Sequence, residues 1–238
     1  MSQKVSLFWF RRDLRLEDNA GLLKALKCGT PVLPVFIFDP NILSKLEDTK
    51  DARVSFLHER LSVLKAQLGD LGSDLLVFYD KPLNVFESLC SQYEVTGLFF
   101  NRDYEPYARE RDKEVYEYFE SKSISCTGAK DHVLFEKNEV VKADGTPYLV
   151  YSPYAKAWKK RCTSDHFKAY PTQNYFNSFF QTDTKSTLIS LQTMGFHPTS
   201  IVMPSADIPK DVISNYDSTR NFPGLKKGTT RLGIHLRI

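Results

Sequence analysis

Cysteine is scarce in this sequence, and its spacing argues against chemistry that needs clustered thiols. Only four cysteines occur in 238 residues, and none forms a C-x-x-C pair. Disulfide scaffolds and structural zinc sites need closely paired ligands, so we expect neither. The five histidines show no H-x-x-x-H or H-E-x-x-H spacing. We therefore expect no metal site.

Long hydrophobic runs are also missing. The first apolar run covers Val5 to Phe10 and is followed at once by Arg11 and Arg12. That run is too short for a signal peptide or a membrane span. The expected location is the reducing cytoplasm, with no membrane partner.

Neither sign of charge is in large excess. The chain has 32 basic and 29 acidic residues, a formal net charge of +3. Hydrophobic residues make up 42% and aromatic residues 13%, which excludes disorder over most of the length. A balance this mild neither requires nor excludes nucleic acid as a partner.

Short apolar runs alternate with helical patterns over the first 131 residues. This alternation predicts an α/β fold, a Rossmann-like five-stranded and mostly parallel sheet with helices on both faces. The expected strands are 5–10, 31–38, 74–79, 95–101 and 124–127. The expected helices are 18–27, capped by Asp18, then 51–69, one starting at Pro82, and 105–122.

The alternation of strand and helix patterns ends after Asp131. We expect residues 132–205 to form a closing segment and a linker whose aromatic residues dock on a surface, with a short helix over 152–160. A further helix is expected from Asp211 to Arg220. Trp9 and Trp158 are expected in the core. The chain ends in apolar, helix-like residues without a stop signal, so we expect either a fragment or a chain whose partner half is missing.

Ligands of open parallel sheets bind beyond the carboxyl ends of the strands. Neither a G-x-G-x-x-G turn nor a P-loop occurs there. The loop from Gly224 to Arg231 offers backbone amides, two hydroxyls and an arginine that can hold a phosphate, or it is a solvated turn. Three further arginines either hold an anion or pair with nearby acids; they are Arg11, Arg12 and Arg15, and the acids are Asp13, Glu17 and Asp18. The charged residues of the helix after the fourth strand are expected on a solvated face; they are Glu105, Arg109, Glu110, Arg111, Asp112 and Glu114.

Four segments, in order, resemble motifs of the photolyase/cryptochrome family. They are FRRDLRLEDN (10–19), NRDYEPYARERD (101–112), YLVYSPY to Trp158 (148–158), and RNFP (220–223) followed by GTTRLGIHLR (228–237). The resemblance covers the whole chain except the linker. It implies an antenna-binding α/β domain over 1–131, a closing segment and linker over 132–205, and the truncated start of a helical FAD-binding domain over 206–238.

The resemblance also implies an activity. Members of the family that are enzymes use reduced FAD and blue light to split pyrimidine dimers in UV-damaged DNA, as carbon–carbon lyases. Tyr216 matches a flavin contact, and the loop that holds the flavin phosphates matches Thr229, Thr230, Arg231, Leu232 and Gly233. Arg220 matches a DNA contact and is otherwise an ordinary surface arginine.

The second, light-harvesting chromophore is less defined by the motifs. Pro106 and Tyr107 stand where folate-binding members of the family have an Asn-Glu pair, which argues against folate. Arg53, Asp103 and Glu105 match positions that line the antenna pocket of deazaflavin-binding members. The resemblance therefore favours a deazaflavin, unless these three charges pair only with each other or with solvent.

Three functions are compatible with these motifs. The first is a light-dependent DNA photolyase represented by its N-terminal part, inactive without the family's second half, where the catalytic residues are expected. The second is a cryptochrome that signals in blue light. The third is a stand-alone module that binds a nucleotide or an antenna chromophore.

Overall fold

The computed structural model describes residues 2–203, 207, 210–222 and 224–225. Its centre is a five-stranded sheet in the order β3-β2-β1-β4-β5, in which every neighbouring pair is parallel. The strands are β1 (Lys4–Phe10), β2 (Val32–Phe38), β3 (Leu76–Tyr79), β4 (Glu94–Asn101) and β5 (Ser125–Ala129). The expected α/β fold class is confirmed.

Helices connect the strands and continue beyond them. They are α1 (Ala20–Leu26), α2 (Pro40–Leu43), α3 (Ala52–Asp70), α4 (Pro82–Gln92), α5 (Pro106–Ser121), α6 (Tyr151–Arg161), α7 (Lys210–Ser214) and α8 (Tyr216–Thr219). Short 3-10 turns cover 137–139, 164–167, 172–178 and 192–194.

Alternate side chains of β1 enter two separate cores, because successive strand residues point to opposite faces. Phe8 and Phe10 pack on one face with α1 and α3. Val5, Leu7 and Trp9 pack on the other face with α4 and α5. Burial on both faces explains why the strands read as continuous apolar runs.

The linker is docked on the first of these cores, as its aromatic residues predicted. Phe179, Leu191, Met194 and Phe196 are all buried there. The Phe180 N–H donates to the Val32 carbonyl at 2.8 Å, which ties the linker to the amino end of β2.

A buried polar cluster fixes the linker a second time, beside β3. The Ser186 hydroxyl and N–H both donate to Asp74 Oδ2, at 2.6 and 2.7 Å, and Lys65 contacts the other oxygen of the same carboxylate. Burial alone would raise the pKa of Asp74. The hydrogen bonds from Lys65 and Ser186 outweigh burial and hold this pKa below its ordinary value.

Several local predictions need correction. Asn19, not Asp18, caps α1, because its side chain accepts the Leu22 N–H while Asp18 has a φ of 48°. The helix expected over 211–220 is two short helices, α7 and α8. Trp9 is in the core at 2% exposure, but Trp158 is only half-buried, edge-on to Phe135. The domain limits at residues 131 and 205 stay predictions.

Candidate functional site

The candidate site lies at the carboxyl ends of β1 and β4. Within the sheet, β1 has β2 as its neighbour on one side and β4 as its neighbour on the other, so the strand order reverses at β1. In open parallel sheets this reversal of strand order forms the crevice in which ligands bind. The loops that meet there follow β1 (residues 11–19) and β4 (residues 102–105).

A buried polar network forms the floor of the site. Asp13 accepts hydrogen bonds from the side-chain amides of Asn19 and Asn101 and from the Arg11 N–H, the last at 2.8 Å. Asn101 also donates to Asn19 Oδ1 at 2.9 Å and accepts the Gly21 N–H at 2.9 Å. The network therefore joins the end of β1, the start of α1 and the end of β4.

Next to this floor, two arginines share one carboxylate. Arg11 Nη1 donates to both oxygens of Asp112, at 2.6 and 2.8 Å, and Arg111 Nη2 donates to Oδ1 at 3.0 Å. The three side chains are 6–10% exposed. Both guanidinium groups lie against Trp9, 4.9 and 4.7 Å from the ring centroid. Burial, together with the charge of Arg11, lowers the pKa of Arg111.

These contacts overturn part of the expected solvated face of the helix after β4. Arg111 and Asp112 face inward, whereas the other charged residues expected on that face, Glu105, Arg109, Glu110 and Glu114, are exposed. Asp112 lies in the buried stripe of α5 with Ala108, Val115 and Phe119.

The outer layer of the site is more exposed. Arg12 lies 3.5 Å from Asp103 and 2.7 Å from Glu105, and it is half exposed. Asp103 also accepts the backbone N–H groups of Tyr104 and Glu105. Burial raises the pKa of Asp103, but the charge of Arg12 and the Glu105 N–H outweigh burial and keep the pKa below its ordinary value.

The first three arginines thus pair with acids, but not with the acids expected from their spacing. Arg11 pairs with Asp112, and Arg12 pairs with Asp103 and Glu105. Arg15 pairs with Asp131 at 2.8 Å and donates to the Asp18 backbone carbonyl. Arg15 also lines a cavity of about 460 Å³ between the loop after β5 and residues 165–170.

The three residues matched to an antenna pocket divide into two groups. Asp103 and Glu105 meet on Arg12, as described. Arg53 lies at the start of α3 and pairs with Asp51 at 2.5 Å, with 77% of its side chain exposed. Among the described residues, no hydrogen bond or ion pair joins Arg53 to the other two.

The residues matched to FAD and DNA fall near the end of the described chain. Tyr216 opens α8 and is 50% exposed, and Arg220 caps the same helix and is exposed. Thr229, Thr230, Arg231, Leu232 and Gly233 lie outside the described residues.

Two tyrosine contacts were missed by the sequence analysis. The Tyr107 hydroxyl donates to Asp39, which joins α5 to the end of β2, and burial and this contact raise the pKa of Tyr107. The Tyr104 hydroxyl donates to Glu136 at 2.6 Å, and Arg102 pairs with the same carboxylate. The alternation of strands and helices placed these segments at one edge of the sheet, but it could not pair individual side chains.

The described residues contain no group of His, Cys, Asp or Glu side chains arranged to hold a metal ion. None of the helices in the described part of the chain has the length and hydropathy to cross a membrane. All four cysteine thiols are free.

Comparison with known proteins identifies relatives along the whole chain. The family model for DNA photolyase matches residues 6–173. A deoxyribodipyrimidine photo-lyase of Synechococcus sp. (strain PCC 6301) is 30% identical over 98% of this chain and 50% of its own length. An uncharacterised 31.6 kDa protein of Synechococcus sp. (strain PCC 6716) is 32% identical over 100% of this chain and 86% of its own length. Cryptochrome-1 of Anopheles gambiae is 32% identical over 63% of this chain.

The fold is similar to that of solved photolyases. A bacterial class III photolyase from Agrobacterium tumefaciens superposes with a TM-score of 0.77 at 23% identity, over 100% of this chain and 51% of that one. The chain spans about half the length of the curated photo-lyases it matches. On the family match and these relatives, the chain belongs to the DNA photolyase/cryptochrome family, and it corresponds to the N-terminal half of its members.

Proposed function

We propose that this chain is the N-terminal part of a light-dependent DNA photolyase that splits cyclobutane pyrimidine dimers. The observation that carries the proposal is the extent of the alignments. Three deoxyribodipyrimidine photo-lyases align over 98–99% of this chain at 25–30% identity, whereas the insect cryptochrome and the (6-4) photolyase of Arabidopsis thaliana align over 63%. The three longer alignments extend beyond the α/β domain and support a deoxyribodipyrimidine photo-lyase over an insect-type cryptochrome.

FAD, when bound, supplies the light-excited electron donor for dimer splitting. In this chain Tyr216 and the segment from Thr229 to Gly233 are the residues proposed to hold it. The Tyr216 side chain is half exposed, so its ring is open to a ligand. A single phosphate loop does not enclose a flavin ring, so the 238-residue chain alone is expected to retain little FAD and to be inactive.

Arg220 is proposed to contact the phosphates of UV-damaged DNA. We expect Arg220→Gln in the full-length protein to weaken binding of dimer-containing DNA by about 10- to 150-fold, since hydrogen bonds to charged groups contribute roughly 1.5–3 kcal/mol. Lys210→Gln is the matched control, because Lys210 is also exposed and lies one short helix away. An equal loss of DNA affinity in both variants would mean that the effect comes from overall charge and not from a contact made by Arg220.

The antenna site is proposed at the outer layer of the carboxyl edge, with a deazaflavin as the chromophore rather than a folate. Glu105 and Arg53 fit a polar ligand, because 62% and 77% of their side chains are exposed. The carboxylate of Asp103 is already used by Arg12 and two backbone N–H groups. Its role is to hold the loop that presents Glu105.

The antenna proposal is tested by adding a deazaflavin to the purified chain and following its fluorescence. We expect Glu105→Gln and Arg53→Gln to weaken binding, while Glu110→Gln, at an exposed position of α5, leaves binding unchanged. Binding of a folate in preference to the deazaflavin contradicts the choice of chromophore.

A stand-alone module that binds a nucleotide or antenna chromophore is the second candidate. It is favoured by the uncharacterised 31.6 kDa relative, of which this chain covers 86%. Light-dependent repair of dimer-containing DNA by the full-length protein, with a dark control, separates the candidates. Repair only in the light supports the photolyase. A flavin retained by the full-length protein without repair supports a cryptochrome, and absence of both flavin and repair leaves the stand-alone module. In all three cases a cytoplasmic location is proposed.

A further inference from the structure

The positive charge of the chain is concentrated around α6. Residues 135–168 contain seven basic and four acidic residues, a net charge of +3 that equals the net charge of all 238 residues. Four of the seven are in α6 itself, and α6 contains no acidic residue.

One face of α6 is fixed to the rest of the protein. Trp158 lies edge-on to Phe135, with ring centroids 5.4 Å apart, and Tyr154 lies 6.2 Å from Tyr148. Arg161, at the end of the helix, donates to the Glu139 carbonyl. The aromatic side of the helix is thus occupied by residues 135–148.

Lysines cover the opposite face. Lys156, Lys159 and Lys160 are spaced i, i+3 and i+4, so they share one side of the helix. All three are exposed, and none has an ion pair within the described part of the chain. Two other lysines near this region are neutralised by ion pairs: Lys130 pairs with Glu139 at 2.8 Å and Lys168 with Asp165 at 2.6 Å.

Stabilisation of the helix accounts for only part of this pattern. Cations in the last turn of a helix interact favourably with its macrodipole, and Lys159, Lys160 and Arg161 are in that turn. Lys156 lies before the last turn and has no such role. Three unpaired ammonium groups on one exposed face instead complement a regular array of anions.

We propose that the lysine face of α6, formed by Lys156, Lys159 and Lys160, binds the phosphate backbone of double-stranded DNA without reading its sequence. A duplex carries about one negative charge per 1.7 Å of its axis, and the three lysines span about 6 Å of helix, so each can meet a phosphate. Helices that bind membranes carry large apolar residues on the side opposite their charges, which insert into lipid. In α6 that side is packed against Phe135 and Tyr148.

This inference deepens the proposed function, since it takes DNA as the partner, but it concerns a surface separate from Arg220. The test uses the 238-residue chain and an undamaged DNA duplex, with fluorescence anisotropy measured over a series of salt concentrations. Neutralising Lys156, Lys159 and Lys160 to glutamine should reduce the slope of log affinity against log salt by about 2.7, or 0.9 per phosphate contact. The wild-type affinity should then lose about 40-fold more than the variant affinity between 50 and 200 mM salt.

A matched control variant distinguishes binding by the lysine face of α6 from a general effect of net charge. Lys24, Lys50 and Lys81 are exposed lysines elsewhere in the chain with no ion pair to the described residues, and replacing all three by glutamine removes the same net charge. We expect this control to keep the wild-type slope. Equal slopes in wild type and the α6 variant, an equal reduction in both variants, or no duplex binding by the wild type at the lowest salt would each overturn the proposal.

Two further measurements distinguish other outcomes. Leu149, Val150 and Tyr151 are exposed at the start of α6, so vesicles of anionic and neutral lipid are included. Binding to anionic vesicles that depends on the three lysines, without binding to the duplex, overturns DNA as the partner. Failure of the proposed function appears differently, as absence of light-dependent repair in a full-length protein whose α6 still binds duplex DNA.

Discussion

Asp112→Asn should destabilise the α/β domain more than any surface substitution. The change keeps the size of the side chain but removes the negative charge shared by Arg11 and Arg111. These two guanidinium groups are only 6% and 9% exposed, so neither regains full hydration when its partner is lost. Removing one partner of a buried ion pair costs about 3–5 kcal/mol. We therefore expect the free energy of unfolding to fall by about that amount.

The loss is measured by urea unfolding followed by circular dichroism. Glu117→Gln, on the same helix, is the matched control, because it removes the acid of the exposed pair formed by Lys113 and Glu117. That i, i+4 pair contributes only about 0.3–0.5 kcal/mol. A second variant, Asp112→Asn with Arg111→Met, removes one of the two stranded charges.

The double variant should regain part of the stability lost by Asp112→Asn, because residues in one ion-pair network are not additive. The reasoning is refuted if Asp112→Asn changes the free energy of unfolding by less than about 1 kcal/mol, or if the double variant is less stable still. Either result would mean that solvent reaches Arg11 and Arg111 well enough to replace Asp112.

Four further predictions concern the packing around two glycines and the titration of two buried groups. A methyl group on Gly21 would lie 2.6 Å from a buried side-chain oxygen, so Gly21→Ala should cost about 1–3 kcal/mol in thermal or urea unfolding. Gly69→Ala, in a helix with nothing within 4 Å, should instead stabilise by about 0.5–1 kcal/mol. The pKa of Asp74 is lower in the folded than in the unfolded chain. Ionised Asp74 therefore stabilises the folded state above about pH 4, its unfolded pKa, and this stabilisation is lost as the pH falls through the folded pKa. In Asp74→Asn the free energy of unfolding should depend less on pH over this acid range. Burial raises the pKa of the Cys126 thiol to about 12, so iodoacetamide at pH 8 should modify the exposed Cys28 and leave Cys126 unmodified until the protein is unfolded, as read by peptide mass.

The central strands β1 and β2 were predictable because they are buried on both faces and therefore read as nearly uninterrupted apolar runs. Val5 to Phe10 is the clearest case, since it matches β1 to within a residue. Turn and cap positions were less predictable. Because aspartate is a common cap, the sequence predicts the start of α1 at Asp18, but the chain has a positive φ there and Asn19 accepts the Leu22 N–H.

The ion pairs of the site were not predictable from local spacing. Arg11 lies two residues from Asp13 and 101 residues from Asp112, yet Asp112 is its partner. One signal was present in the sequence: Asp112 occupies the same helical stripe as Ala108 and Val115, at spacings of four and three. A carboxylate in an apolar stripe requires a buried partner, and that reasoning would have moved Asp112 from the solvated face to the core.

In the motif at residues 10–19, the buried side chains stabilise the fold, and the exposed side chains are available to bind a ligand. Arg11 is paired with Asp112. Asp13 accepts hydrogen bonds from the side-chain amides of Asn19 and Asn101, which join β1, α1 and β4. Arg12 and Glu105 keep exposed polar ends and are the residues of this edge with capacity for a ligand. Side chains that hold the strand ends together stabilise the fold whatever the protein binds. The function is therefore tested at the exposed charges of the carboxyl edge and of α6.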